Sequence, residues 1–424
     1  MLIRIYSFSI TSSSSSVEIR IVLFVALAVV YSIGQYLVLE FVKIKSADVR
    51  SKKKLHINTV HKIVTMIQFG LSAILASIIL QMVLKSSYSV VWMGAATWIS
   101  YIMAMVMMGL LAYRFSSWFR TNRDYVVLLY ALASIMLAIN AAFTLGFVID
   151  LFQRLPSEIL EHQGFGYAPF ISPGSITDFL NNGYVISSII SFILWWGATV
   201  LLLRHYSRRL GKIKYWIILG IPLVYFLMQF LPLFPSLFSL FPNSADIFFI
   251  YTVIFTLSKP AGGVLFGVAF WIVVRSFSPD NIVRDYMIIS AFGLILLFVS
   301  NQAVVLVTVP YPPFGLATIS FLGLSSYLIL VGVYASAISV SGDTELRKSI
   351  RKYAITESKL LDSIGSAQME QQIQRRVIDM MRQNQDRLSN ETGVEPSLSE
   401  VEVKQYLHEV IEEVKKGKMQ NGNK

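Results

Sequence analysis

Nine stretches of about 20 or more mainly apolar residues limit what this chain can fold into. A helix needs about 20 such residues to cross the hydrocarbon core of a bilayer. Only 14% of all residues are charged, against roughly 25% in ordinary soluble proteins. The sequence therefore predicts an all-α fold, a polytopic bundle of membrane helices. The nine predicted spans are 21–42, 63–84, 89–113, 125–150, 184–203, 215–240, 248–274, 286–308 and 316–339.

The distribution of basic residues predicts how the spans are oriented. Residues 341–424 hold 14 Lys and Arg against 14 Asp and Glu, so the net charge of +11 belongs to the membrane part. That excess is concentrated in alternate connections, the pattern that marks the cytoplasmic side of a membrane protein. We therefore expect the N-terminus outside, the C-terminus inside and no nucleic-acid partner. The basic connections are 43–62, 114–123, 204–214 and 275–284.

Changes in composition divide the chain into three parts. Residues 1–20 include five consecutive serines and predict a flexible outer tail. Residues 21–340 form the predicted transmembrane bundle. Residues 341–424 are rich in charged and amide side chains, which predicts a cytoplasmic helical domain. Its first two predicted helices, 343–364 and 367–389, are separated at Gly365, since glycine is a frequent helix breaker.

A third tail helix is predicted after a short linker. Ser397 is followed three residues later by Glu400, a pattern typical of a helix N-terminus. Apolar residues then recur at helical spacing. We expect this apolar face to bind a protein partner, from the same chain or another. Its residues are Val403, Tyr406, Leu407, Val410, Ile411 and Val414.

A lysine lies deep inside the seventh predicted span. At 1.5 Å per residue, Lys259 is roughly 17 Å from the outer end and 24 Å from the inner end. A charge there costs about 2.5–3.5 kcal/mol on insertion scales, so intramembrane lysines often mark functional sites. Pro260 removes a helix hydrogen bond and would serve as a hinge. The alternative interpretation is a tight helix crossing, since Gly263 and Gly267 form a Gly-x-x-x-Gly packing pair.

Four amide side chains are predicted to lie inside the bundle. Asn301 and Gln302 in span eight, Asn140 in span four and Gln229 in span six are buried by position. Together with Lys259 they would line a cavity in the outer half of the membrane. Interhelical hydrogen bonding between amides is the alternative, because such bonds are common in membrane bundles.

Several kinds of chemistry are absent from the sequence. There is no cysteine, which excludes disulfides, thiolate metal sites and cysteine nucleophiles. No zinc-protease, phosphate-loop, serine-hydrolase or kinase motif occurs. We therefore expect no cofactor and no metal site, and an enzyme is disfavoured. The longest predicted outer connection, 153–183, is the candidate for a lid, an external ligand surface or an interfacial cap.

The C-terminal part of the chain carries a resemblance. Its motifs are Ser300-Asn-Gln302, Pro312-Pro-Phe-Gly315, residues 339–351 from Ser339-Val-Ser-Gly-Asp onward and residues 360–371 from Leu360-Leu-Asp-Ser-Ile onward. With these motifs the chain resembles a group of multi-pass membrane proteins of ammonia-oxidising archaea that have no established activity. The resemblance implies an archaeal plasma membrane and an apolar core with a helical tail. It transfers no functional residue.

Three functions are compatible with these features. The first is a receptor or sensor that relays a signal to a cytoplasmic partner through its helical tail, with span nine and the first tail helix moving as one rod. The second is a transporter or channel with a polar site in the outer half of the membrane. The third is a structural or assembly subunit of a membrane complex. The sequence does not identify a ligand.

Overall fold

The chain is described by a computed structural model. It covers residues 16–45, 56–154, 156–160, 174–207, 211–228, 244–275, 277, 281–301, 311–354, 359–392, 406 and 409.

Twelve helices and two short strands make up the described residues. The membrane part contains, in chain order, α1 (Ser16–Lys45), α2 (His56–Lys85), β1 (Ser87–Ser89), α3 (Val90–Thr121), α4 (Tyr125–Gln153), β2 (Glu158–Leu160), α5 (Ile176–Leu203), α6 (Lys212–Met228), α7 (Ser244–Val274), α8 (Ile282–Ser300), α9 (Phe314–Ile319) and α10 (Phe321–Gly342). The tail adds α11 (Thr344–Ala354) and α12 (Lys359–Thr392).

The described residues contain eight helical segments that are long and apolar enough to cross a membrane, with α9 and α10 counted as one. They make the chain a multi-pass membrane protein. The predicted sixth span corresponds to α6, whose described part is only 17 residues long and falls short of a full crossing. Helix α1 begins at Ser16, so part of the predicted flexible tail, residues 16–20, is helical instead.

Six helices form the centre of the bundle. Helices α3, α4 and α5 pack in sequence, α5 contacts α7, α7 packs on α8, and α8 packs on α10, which returns to α3. Helix α10 is the most deeply buried of the spans. Helices α1 and α2 pack outside this group against α10, and α6 packs on α7 and α5. The core is therefore organised around α10.

The bundle has two distinct ends. At one, which we call the hairpin end, β1 pairs antiparallel with β2, and Tyr88 lies opposite Ile159 with both side chains buried. At the other, the tail end, α12 packs on α10 and α3. The strand pair was not predicted from the sequence, because its three-residue strands are too short to show an alternating pattern.

Close contacts through glycines connect four helices in series. A β-carbon at Gly267 of α7 would lie 2.7 Å from the Ala291 carbonyl oxygen of α8. Gly332 of α10 likewise meets the backbone of α8, and Gly365 of α12 meets Val340 of α10. Backbones can approach this closely only where a side chain is missing, which is why small residues occupy membrane helix crossings. The contacts from α7 to α8 and from α8 to α10 thus reach the backbone of α8, whereas Gly365 of α12 packs on the side chain of Val340.

The tail differs from its predicted layout. Gly365 lies inside one long helix, α12, where its lack of a side chain makes room for Val340 of α10. The expected rod formed by the last span and the first tail helix is interrupted at Asp343, which is extended with φ −112° and ψ 117°. The Asp343 carboxylate accepts a hydrogen bond from the Glu345 amide at 2.9 Å and starts α11 as its N-cap.

Candidate functional site

Lys259 is buried in the middle of the bundle. Its side chain is only 6% exposed, and it lies 15 residues before the end of α7 at Val274, or about 22 Å along the helix. The Lys259 Nζ donates hydrogen bonds to the Tyr184 hydroxyl at 2.8 Å and to the Asn301 carbonyl oxygen at 3.2 Å. No carboxylate pairs with Lys259 among the residues that the structure describes. Two neutral oxygens therefore hold the amine.

The second of these oxygens is at a helix end inside the bundle. Asn301 caps the C-terminus of α8 with φ −79° and ψ 65°. A helix C-terminus carries a partial negative charge, which favours a cation at that position. We predicted Asn301 inside a helix, whereas the structure ends the helix at Ser300. Helix α7, in contrast, is continuous through Pro260. At the level of Lys259, α8 therefore ends while α7 continues.

Asn140 of α4 is hydrogen-bonded to the residues that contact Lys259. Its side-chain amide donates to the Tyr184 carbonyl and to the Ser187 hydroxyl, both at 3.0 Å. Its oxygen accepts a hydrogen bond from the Asn301 side chain at 3.2 Å. We call this group, Lys259, Tyr184, Asn301, Asn140 and Ser187, the lysine cluster. It connects α4, α5, α7 and α8.

Two buried polar atoms, one of them in the lysine cluster, have no hydrogen-bond partner among the described residues. They are the Asn301 side-chain oxygen and the Tyr101 hydroxyl. Buried polar atoms are normally paired, so the unpaired Asn301 side-chain oxygen in the lysine cluster is a feature that a polar ligand could use.

The structure brings together three of the predicted polar residues, Lys259, Asn301 and Asn140. Gln302 and Gln229 lie outside the described residues, so their predicted place in the cavity stays a prediction. Gly263 and Gly267 face α8, and a β-carbon at Gly263 would be 2.7 Å from Phe298 Cβ. Close packing and a buried lysine are thus found on the same helix.

Tyr184 and Ser187 were missed by the sequence analysis. The sequence does contain a pattern that predicts a polar helix face at this place. Its residues are Tyr184, Ser187, Ser188 and Ser191. All four side chains are buried. The predicted span begins at residue 184, which puts Tyr184 at the end of the span, whereas α5 begins at Ile176 and holds Tyr184 two turns inside the helix.

The tail end contains a second buried charge, Asp124. Its side chain is 8% exposed and caps α4 by accepting a hydrogen bond from the Val126 amide at 2.9 Å. The other carboxylate oxygen accepts from the Ser363 hydroxyl of α12 at 2.6 Å, and Lys359 Nζ is 3.6 Å away. The tail helix therefore completes the pairing of a charge that belongs to the membrane bundle.

Apolar and amide contacts extend this attachment along α12. The Trp118 indole donates to the Gln368 side chain at 2.9 Å, and the Gln371 amide donates to the Ser117 hydroxyl at 2.9 Å. We call the attached segment, residues 359–372, the tail dock. Its apolar residue Met369 is half-buried, and the other four apolar side chains are completely buried; they are Leu360, Leu361, Ile364 and Ala367.

The second half of α12 continues away from the tail dock and is exposed. Ile373 and Met380 are 44% and 56% exposed, respectively. Tyr406 of the predicted third tail helix is 66% exposed. The other residues predicted to bind a partner lie outside the described residues; they are Val403, Leu407, Val410, Ile411 and Val414. The predicted partner-binding region, residues 341–424, includes α12, although no residue of this helix was predicted individually.

The connection 153–183, which we predict to lie outside, is only partly described. Glu158 is in β2, and residues 161–173 lie outside the described part of the chain. The connection is shorter than predicted because Asp178 belongs to the first turn of α5. Within the described ranges, no group of three or more His, Cys, Asp or Glu residues could hold a metal ion.

Comparison with known proteins does not assign the chain to a family. No protein-family description, no curated protein and no solved structure matches it. The resemblance to proteins of ammonia-oxidising archaea stays a prediction.

Proposed function

We propose that this protein is a membrane sensor that relays a change at the lysine cluster to a cytoplasmic protein partner bound to its tail. The observation that carries the proposal is the tail dock. Because α12 is packed into the same bundle that holds Lys259, a rearrangement at the cluster has a physical route to the tail.

The route passes through the glycine contacts. Helix α7 carries Lys259 and meets α8 at Gly267, α8 meets α10 at Gly332, and α10 meets α12 at Gly365. Closely packed helices shift as units of about 1–2 Å rather than absorbing movement in side chains. A ligand that removes Lys259 from the end of α8 would therefore favour a different position of α8 and, through α10, of α12.

The arrangement of charges supports a cytoplasmic tail. The helix ends that adjoin the basic connections meet at the tail end, where Lys45 of α1 pairs with Asp285 of α8 at 2.7 Å. The start of α6 joins the end of α5 there, since the Tyr215 hydroxyl donates to the Val200 carbonyl at 2.6 Å. An excess of Lys and Arg favours retention on the cytoplasmic side. We therefore propose that the tail end faces the cytoplasm.

Distance measurements between spin labels test the coupling. The chain has no cysteine, so Arg123→Cys and Arg376→Cys introduce the only two labelling sites, both at exposed positions. We expect Lys259→Met to change the mean distance between these labels by about 2 Å or more. The matched control is Gln68→Leu, which removes a buried polar side chain of α2, outside the route. Identical distance distributions in wild type and Lys259→Met would contradict the coupling.

A pull-down from native membranes tests the partner. We expect the exposed half of α12 to bind it, so Ile373→Glu with Met380→Glu should abolish the capture of a signalling protein such as a kinase or response regulator. Neither residue belongs to the tail dock, so the bundle stays intact. If the double variant instead loses subunits of a membrane complex, the assembly function is favoured. Unchanged capture would show that the partner does not bind to the exposed half of α12.

Transport is the second candidate, supported by the end of α8 inside the bundle. Transporters bind substrates and ions at helix ends inside the membrane, and the Asn301 side-chain oxygen, which has no partner among the described residues, lies at the end of α8. Flux of inorganic ions and amino acids into proteoliposomes tests this function. Transport predicts flux that Lys259→Met abolishes and that truncation after Gln372 preserves. Flux that is absent in the wild type across these substrates would favour the sensor.

A further inference from the structure

A groove of about 520 Å³ runs between α3 and α4 on the outer face of the bundle. Its volume is within the range of small-molecule sites. Small residues form the floor, and exposed side chains such as Tyr113 and Ile139 form the rim. The lining residues are Met105, Gly109, Ala112, Tyr113, Ser116, Arg120, Ile135, Ala138, Ile139 and Ala142.

The groove is apolar along its length and charged at one end. From Met105 to Arg120 it follows α3 for 15 residues, or about 22 Å. Arg120 lies one residue before the end of the span at Thr121, the level at which lipid headgroups lie. Ser116 lies one turn deeper on the same side of the helix. A long apolar slot that ends in a cation matches an acyl chain joined to an anionic headgroup.

Arg120 is free to bind such a headgroup. Among the described residues it has no ion pair or side-chain hydrogen bond, and its side chain is exposed. The nearby Arg114 differs, because its guanidinium lies 4.7 Å from the ring centre of Tyr334 on α10. Arginine binds phosphate through paired N–H groups, and basic residues between membrane helices recognise anionic lipids.

We propose that the groove between α3 and α4 binds one anionic phospholipid of the bilayer. Its acyl chain lies along Gly109 and Ala112, and its phosphate pairs with Arg120, assisted by the Ser116 hydroxyl. The site is separate from the lysine cluster and does not depend on the proposed sensor function.

Native mass spectrometry of the full chain tests the site. The protein is incubated in micelles with equal amounts of palmitoyl-oleoyl phosphatidylglycerol and palmitoyl-oleoyl phosphatidylcholine. We expect one tightly retained lipid, with phosphatidylglycerol preferred about fivefold, the factor that one basic residue contributes near an anionic headgroup. Arg120→Gln should abolish this preference. Arg123→Gln, at an exposed position outside the groove, should preserve it.

A second pair of variants tests the acyl-chain slot. Gly109→Leu fills the floor, where a β-carbon meets nothing within 4 Å, so the fold tolerates it. It should reduce retention of both lipids. Gly70→Leu on α2 is the matched control, with equally open surroundings, and should leave retention unchanged. Retention that survives Gly109→Leu, or a preference lost equally in Arg120→Gln and Arg123→Gln, would overturn the proposal.

Discussion

Lys259 and Asp124 are two buried charges that the protein accommodates in the same physical way at different places. The lysine contacts the C-terminal end of α8 in the middle of the bundle, and the aspartate caps the N-terminal end of α4 at the tail end. Each lies at the helix end whose partial charge is opposite to its own. Both are also hydrogen-bonded by a hydroxyl, from Tyr184 and Ser363 respectively. The partial charges of helix ends therefore give these two buried groups much of the electrostatic stabilisation that oppositely charged side chains give in other proteins.

The difference between the two sites lies in where their partners come from. Asp124 caps its own helix two residues away, and a salt-bridge partner, Lys359, is also near. The partners of Lys259 are 75 and 42 residues away and are neutral. The Asp124 carboxylate is thus stabilised partly by its own helix. The contacts of Lys259, in contrast, form only when different helices of the bundle pack together. We expect the lysine site to respond more strongly to a change of charge.

The largest effect is expected for Lys259→Glu. A carboxylate there would face the carbonyl end of α8 without a cation, and we expect the free energy of unfolding to fall by about 3 kcal/mol. Lys259→Met, which introduces no charge, should change it by less than about 1.5 kcal/mol. Denaturant unfolding in detergent measures both. Lys85→Glu makes the same charge change at an exposed position and should cost less than about 0.5 kcal/mol. Equal losses of unfolding free energy at positions 259 and 85 would show that the C-terminal end of α8 does not contribute to the effect of the charge change.

An intermediate effect is expected for Asp124→Ala. It removes the cap of α4 and the acceptor for Ser363, so the free energy of unfolding should fall by about 2 kcal/mol. Asp124→Asn keeps a capping oxygen and should lose less than about 1 kcal/mol. Hydrogen exchange of residues 360–371 measures release of the tail dock along with stability. If the Asn variant loses as much as the Ala variant, the negative charge rather than the hydrogen bonds attaches the tail.

The smallest effects are expected for the residues of the tail dock that contact Asp124. Ser363→Ala leaves one oxygen of a buried carboxylate without its donor and should cost about 1 kcal/mol. Lys359→Ala should cost less than about 0.5 kcal/mol, because its ammonium is largely exposed and 3.6 Å from the carboxylate. Hydrogen exchange of the tail dock compares the two variants. A larger effect at Lys359 would reverse this order and make the tail dock sensitive to salt.

The membrane class and most of the helices could be predicted from the sequence, because long apolar stretches are a local signal. The burial of Lys259 and Asn140 could also be predicted from their positions along the spans. Their partners could not, since the meeting of Asn140 with Asn301 depends on the packing of helices 161 residues apart in sequence. Gly365 shows the same limit. A glycine at this position predicts a helix break, whereas α12 continues through Gly365 and packs there on Val340, a contact that no local sequence pattern shows.

The two halves of α12 give the tail the mechanics of a lever. Its fixed part is the tail dock, and its free arm runs from Gln372 to Thr392, which at 1.5 Å per residue is about 30 Å. A tilt of about 5° at the end of the tail dock would move the tip by about 2.6 Å at this arm length. A displacement inside the membrane that is too small to open a channel would thus become, at the end of α12, a change large enough for a bound protein to detect.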